Sequence, residues 1–272
     1  ALIQAGQDIV DLTFLGQNYD ASDITRIVAG RDILDTPLGN FVGNDSSNDS
    51  MGAPPVLELA GPGTFDVEAG RNIGPLTSAV EANAAGYLAA FNPNIPTQVP
   101  PTGIQTIGNA NDGDLPAESA SVVTLFGIGP GINTQGFANA YLDPAAMLPA
   151  GVSSYSDQLV AFVEQYETDQ NKKFGIGGPV TGLTAGQAWA VFETLPAYRQ
   201  QLLVDQVFFD ILDTTGLDFN NASSPFFHQY ARGYEAINTL FPASFGYTQN
   251  NLSGGSNGSN APVSTGFLDM RG

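Results

Sequence analysis

Cysteine is absent from the chain and histidine occurs once. The first absence excludes disulfide scaffolds, thiol nucleophiles and thiolate metal sites, and the second excludes metal centres built on several imidazoles. Cations are scarce as well: 8 Lys and Arg stand against 27 Asp and Glu, for a formal net charge of −19. Only Lys172 and Lys173 are adjacent, so no basic patch is available to neutralise phosphates, and no nucleic-acid partner is expected. No run approaches the ~18 apolar residues of a spanning helix, so no membrane-spanning segment is expected either. Charged residues make up 13% of the chain, about half the usual share. Their place is taken by 32 Gly, 18 Pro and many small polar residues, which gives a Gly/Asn/Ser/Thr surface rather than a Lys/Glu one. The 272 residues allow one large domain or two small ones. The opening, Ala1-Leu2-Ile3-Gln4, has neither an initiator Met nor a signal-peptide pattern, as expected of an excised or processed piece.

What is present is a repeat. Ala5-Gly6-Gln7-Asp8-Ile9, Ala29-Gly30-Arg31-Asp32-Ile33 and Ala69-Gly70-Arg71-Asn72-Ile73 share one form, and each follows a short run containing apolar residues. Thr64 to Ala69 alternates apolar and polar residues, the pattern of a strand with one face in a core. Gly permits a corner, the Asx side chain can bond its local backbone, and Ile restarts the inward face. Short strands and Gly-Asx corners repeated in this way predict a mainly β chain, a parallel β-helix (solenoid). A sandwich of antiparallel hairpins is the alternative.

The period changes further along. Ser156 can cap a helix carrying Leu159, Phe162, Val163 and Tyr166; Thr184 and Gln187 form a capping box before Trp189 and Phe192; Pro196 opens a third helix and Ser224-Pro225 a fourth. The division read from these signals is β-helix coils over 1–136, an inserted α-helical subdomain over 137–245, and over 246–272 a Gly/Ser/Asn-rich linker leading into the start of a further coil.

The Ala-Gly-Arg-Asp-Ile phrases, Gly61-Pro62-Gly63, Gly103-Ile104-Gln105-Thr106-Ile107-Gly108-Asn109 and the run Arg232-Gly233-Tyr234-Glu235-Ala236-Ile237 followed by Leu240-Phe241-Pro242 resemble filamentous-haemagglutinin-type exoproteins of two-partner secretion, in their C-terminal portion. The resemblance implies a right-handed β-helix, export through an outer-membrane secretion partner, and a place at a Gram-negative cell surface or in an extracellular filament. It implies an adhesin-like structural segment that is not an enzyme, with a host or cell-surface glycan or protein as its partner. The alternative is a glycan-binding or polysaccharide-cleaving module.

Candidate chemistry is sparse. Asp45 and Asp49, and Asp112 and Asp114, sit in Asn/Asp/Ser/Gly segments with closely spaced oxygen donors, which suits a structural calcium ion; solvated polar loops are the ordinary alternative. Neither segment has the loop ending in Glu of a helix–loop–helix calcium site. No catalytic residue and no other cofactor is assigned. His228 alone could serve as the base of a Ser-His-Asp site, and a packed or surface histidine is the simpler expectation. Trp189, Tyr230 and Tyr234 are candidates for contact with a glycan or protein partner if their rings are exposed, and core residues if they are not.

Overall fold

A computed structural model describes residues 1–35, 56–74, 76, 103–109, 113–148, 151–247 and, as a strand backbone, 266–270. The chain divides into two compact units, Ala1–Gly129 with Thr265–Gly272, and Pro130–Ser264.

The first unit is built from β1 (Leu2–Ala5), β2 (Ile9–Val10), β3 (Phe14–Gln17), β4 (Ile24–Ala29), β5 (Asp32–Leu34), β6 (Val56–Ala60), β7 (Thr64–Ala69), β8 (Asn72–Ile73), β9 (Gly103–Ile107), β10 (Ser121–Phe126) and β11 (Gly266–Met270). These form three sheets, in the orders β1-β4-β7-β10-β11, β2-β5-β8 and β3-β6-β9. The chain visits the three sheets in turn, and every pairing is parallel except that of β11, which runs antiparallel to β10. The segment read as the start of a further coil therefore pairs in the opposite sense from the strands before it.

The repeated phrases stack residue on residue. Ala5 pairs with Ala29 and Ala29 with Ala69, while Ile9 pairs with Ile33 and Ile33 with Ile73. The inward residues include Ile27, Ile33, Leu59, Phe65 and Val67, all at or below 1% exposure, so the alternation of Thr64–Ala69 does place one face in a core. Each corner is held to the next. Asp8 accepts from Arg31 at 2.5 Å and from the Asp32 backbone N–H at 3.2 Å. Asp32 in turn accepts from Arg71 and from both the side chain and the backbone N–H of Asn72. Arg31 and Arg71 are 44% and 55% exposed, and exposed pairs contribute little stability, so the ladder's main effect is to fix register.

Glycine is required at these corners by close approach. A Cβ on Gly30 would lie 2.3 Å from the Gly6 carbonyl oxygen, and one on Gly70 would lie 2.1 Å from that of Gly30. The same position in the first phrase, Gly6, has nothing within 4 Å.

The second unit holds α1 (Thr134–Tyr141), α2 (Ser156–Phe174), α3 (Ala185–Phe192), α4 (Ala197–Asn220) and α5 (Ala231–Leu240). Its core includes Phe137, Leu159, Val163, Phe192, Phe208 and Leu240, buried to 1% exposure or less. The predicted capping box is present: the Thr184 hydroxyl accepts from the Gln187 N–H, and the Gln187 side chain accepts from the Thr184 N–H. Pro196 immediately precedes α4. Two helix starts differ from expectation. Tyr155, not Ser156, is the first cap of α2. The last helix begins at Ala231 instead of after Ser224-Pro225, because the Ser224 side chain accepts from the Phe226 N–H in a tight turn and His228 adopts φ 58°, a left-handed conformation that no helix accommodates.

These elements correct the expected fold class, a mainly β right-handed parallel β-helix solenoid with an inserted helical subdomain. The chain is mixed α/β, with five helices among the described residues beside parallel sheets of three to four strands, and no solenoid is identified. The reason lies in element lengths. The helices reach 24 residues, whereas no described strand exceeds 6, and the repeat phrases recur at unequal intervals.

Candidate functional site

The second unit carries a half-open cavity of about 150 Å³ lined by Gly151, Val152, Ser153, Tyr155, Gln158, Asp210, Ile211, Thr214, Thr215 and Arg232. Three elements meet there. The start of α2 brings Gln158, two successive turns of α4 bring Asp210, Ile211, Thr214 and Thr215, and the first turn of α5 brings Arg232.

Arg232 organises the wall. It is only 8% exposed, and one Nη donates to the Gly151 carbonyl at 2.7 Å while the other donates to Asp218 at 2.6 Å. Its guanidinium carbon lies 4.0 Å from the centre of the Phe226 ring, a cation–π contact. The Nε–H is buried and has no acceptor. Asp218 is held below the ordinary aspartate value by the bond from Arg232 and a second from the Ser224 hydroxyl at 2.8 Å. Also in the lining, Gln158 donates to Asp210 at 2.7 Å. Tyr155 is pushed up to about 12, first by burial and then by the Asp210 charge, with Arg232 pulling the other way. Its hydroxyl therefore keeps its proton and remains a donor at any physiological pH. Gly151 is needed where it stands. Its φ is +79°, and a Cβ there would lie 2.2 Å from the tip of the Phe226 ring.

Beside Asp218 and Arg232 in sequence lies a cluster of rings. Phe219 stacks on His228 with centroids 5.2 Å apart, Phe227 lies 3.8 Å from His228, Tyr230 meets Phe219 at 6.3 Å, and Tyr230 meets Tyr234 at 5.2 Å. Phe219 and Phe227 are 36% and 40% exposed, His228 is exposed, and the two tyrosines are half-buried. Burial and the neighbouring Tyr234 raise Tyr230 above the ordinary phenol value. The loop is pinned by a bond from the His228 N–H to the Phe219 carbonyl at 3.2 Å. A non-glycine residue in the left-handed region costs free energy that the rest of the structure must offset, and such residues gather at functional sites.

Of the residues singled out from sequence, Tyr230 and Tyr234 thus come together, joined by His228. Trp189 belongs to another group: it is half-buried and stacks on Phe192, which is buried, at 5.6 Å. Asp114 is exposed, and Asp45, Asp49 and Asp112 lie outside the described residues. No group of three or more His, Asp or Glu suited to a metal ion is found among the described residues. The cavity residues were not foreseen. One signal pointed to them: Arg232 is one of 8 cations and sits between two tyrosines in a helix, a placement that calls for a partner acid and a ring.

The first unit holds a second cluster of titratable groups. Asp66 and Glu68 alternate with the core residues of β7, yet both are buried. They share Arg26 of β4, whose Nε donates to Asp66 at 2.5 Å and whose Nη donates to Glu68 at 2.9 Å. Two buried acids with one cation between them cannot both ionise without strain. Burial and the adjacent Glu68 raise Asp66 well above its ordinary value, against the opposing pull of Arg26.

No protein-family model matches the chain, and no curated protein or solved structure matches it.

Proposed function

We propose that the chain is a non-enzymatic attachment segment of a secreted bacterial surface protein, in which the first unit is structural and the second carries recognition of a cell-surface glycan. The observation that carries this reading is the ring cluster in which exposed Phe219, Phe227 and His228 meet the half-buried Tyr230, with the backbone left-handed at His228. Flat rings at a surface stack on the apolar faces of sugar rings, and a rigid loop presents them without an ordering cost on binding. The excess of acids over cations keeps such a segment soluble and disfavours self-association. The resemblance to filamentous-haemagglutinin-type exoproteins supports the same reading, with an outer-membrane secretion partner serving the parent protein and the chain ending at the cell surface.

The test is a binding screen of the 272-residue chain on immobilised glycans, followed by Phe227→Ala and Tyr230→Ala. Saturable binding to a defined glycan class that drops at least about tenfold in both variants is expected, since interface rings carry much of such binding energy. Absence of saturable binding to any glycan, or binding indifferent to both substitutions, refutes the assignment.

A further inference from the structure

We infer that the Arg232 cavity is a binding site for one neutral, hydroxyl-rich small molecule, the terminal residue of a sugar chain, held by hydrogen bonds from its walls. This deepens the glycan reading and rests on it for the biological source of the ligand.

Charge decides the class. Arg232 lines the cavity, but Asp218 pairs with it at 2.6 Å, and Asp210 adds a second carboxylate in the lining. The three groups leave one net negative charge, so an anion gains nothing from entering. For a cation the one carboxylate left over, Asp210, is already engaged by the Gln158 amide at 2.7 Å. The remaining polar lining is Ser153, Thr214 and Thr215 hydroxyls, the Tyr155 phenol and the Gln158 amide, groups that donate and accept without carrying charge. A hydroxyl matches both kinds of wall, since it donates to Asp210 and accepts from the guanidinium.

The donors have capacity to spare. Of five N–H groups, the Arg232 guanidinium gives one to the Gly151 carbonyl and one to Asp218, and its buried Nε–H has no acceptor. Burying a charged donor short of acceptors costs stability, so the arrangement makes sense where a ligand completes it. Size fits one residue: about 150 Å³ is room for a single six-membered ring, and the open side of the pocket leaves the rest of a chain outside. Ring and cavity act on different parts of a glycan. The exposed cluster of Phe219 and Phe227 offers a stacking face, while the cavity takes the hydroxyls of one end residue.

The experiment is saturation-transfer NMR on the whole 272-residue chain with free neutral hexoses, glycerol, glucuronic acid and glucosamine as probes. It is repeated on Asp210→Asn, Thr214→Val, Arg232→Lys and Phe227→Ala, each first checked for native helix content. At least one neutral hexose is expected to bind saturably, ahead of the charged sugars. Affinity should fall about tenfold in Asp210→Asn and measurably in Thr214→Val. Preference for glucuronic acid or glucosamine overturns the proposal, as does hexose binding that is unchanged in both Asp210→Asn and Thr214→Val. If immobilised glycans bind and Phe227→Ala abolishes that binding while no free hexose binds, the cavity assignment fails and the attachment reading stands. If nothing binds in either format, both fail. Arg232→Lys serves as a check that a charge without the planar fork does not rescue the site.

Discussion

Gly6 and Gly70 occupy the same place in the same repeated phrase, and the structure assigns them opposite responses to one added methyl group. At Gly70 a Cβ would sit 2.1 Å from the Gly30 carbonyl oxygen and 3.3 Å from the Gly129 Cα. Relief to ordinary contact needs a displacement of about 1 Å between neighbouring strands. Three backbone bonds span that junction: Gly70 N–H to Ala29 at 3.0 Å, Arg71 N–H to Arg31 at 2.7 Å and Gly129 N–H to Gly70 at 2.8 Å. Stretching two or three of them, at roughly 1 kcal/mol each, puts the cost of Gly70→Ala at about 2–4 kcal/mol. Gly6 has open space around it and an ordinary φ, so Gly6→Ala loses no contact and trims the unfolded ensemble, a gain of about 0.4–1 kcal/mol. Because the two units need not melt together, a single melting curve would mix them. The assay is hydrogen exchange read by mass spectrometry on peptides from 1–35 and 56–74, where each amide reports its own opening free energy. Protection should fall in Gly70→Ala and hold or rise in Gly6→Ala. Equal effects, within about 0.5 kcal/mol, would refute the claim that close backbone approach, and not glycine's flexibility, dictates these corners.

Further outcomes follow from the buried polar groups and caps. Arg26→Met removes the cation from Asp66 and Glu68 and should destabilise the first unit by roughly 3 kcal/mol at neutral pH, with a smaller loss near pH 4 where the raised Asp66 holds its proton; urea titration at both pH values measures the difference. The raised Asp66 gives a defined sign: its contribution is fully present below the ordinary aspartate value and is lost as pH rises through its raised folded value. The stability of the wild type relative to Asp66→Asn should therefore decline from acid to neutral pH, and a difference that stays flat or grows would reverse the assignment. Thr184→Ala breaks the capping box of α3 and should cost about 1 kcal/mol, visible as lost amide protection at 184–188 and not in the first unit. Gly151→Ala sets a strained backbone against the Phe226 ring; it should displace that ring from Arg232 and abolish hexose binding in the NMR assay while leaving the exchange of the first unit unchanged.

What could be read from the residues alone was whatever repeats or lies close in sequence. The Ala-Gly-x-Asx-Ile phrases announced their own stacking because each corner solves the same local problem, and the pairing of Ala5, Ala29 and Ala69 follows from it. Thr184 and Gln187 were legible because a capping box is complete within four residues. The fold class failed because the repeat was given more weight than the helical segment read over 137–245, which holds the longest described element, α4. The last helix start failed because Ser224 has two local options. Its hydroxyl donates to Asp218 in the last turn of α4, and with the bond from the His228 N–H to the Phe219 carbonyl it ties the chain back to that helix before α5 begins. The same bond explains why the cavity was invisible. Its walls come from 151–158, 210–215 and 232, and what joins them is a chain of pairings, Ser224 to Asp218 to Arg232 to Gly151, whose last step spans 81 residues. No spacing rule reaches that far. An arginine among tyrosines in an acidic chain poses the question of its partner, and only the packing of α4 against α5 answers it.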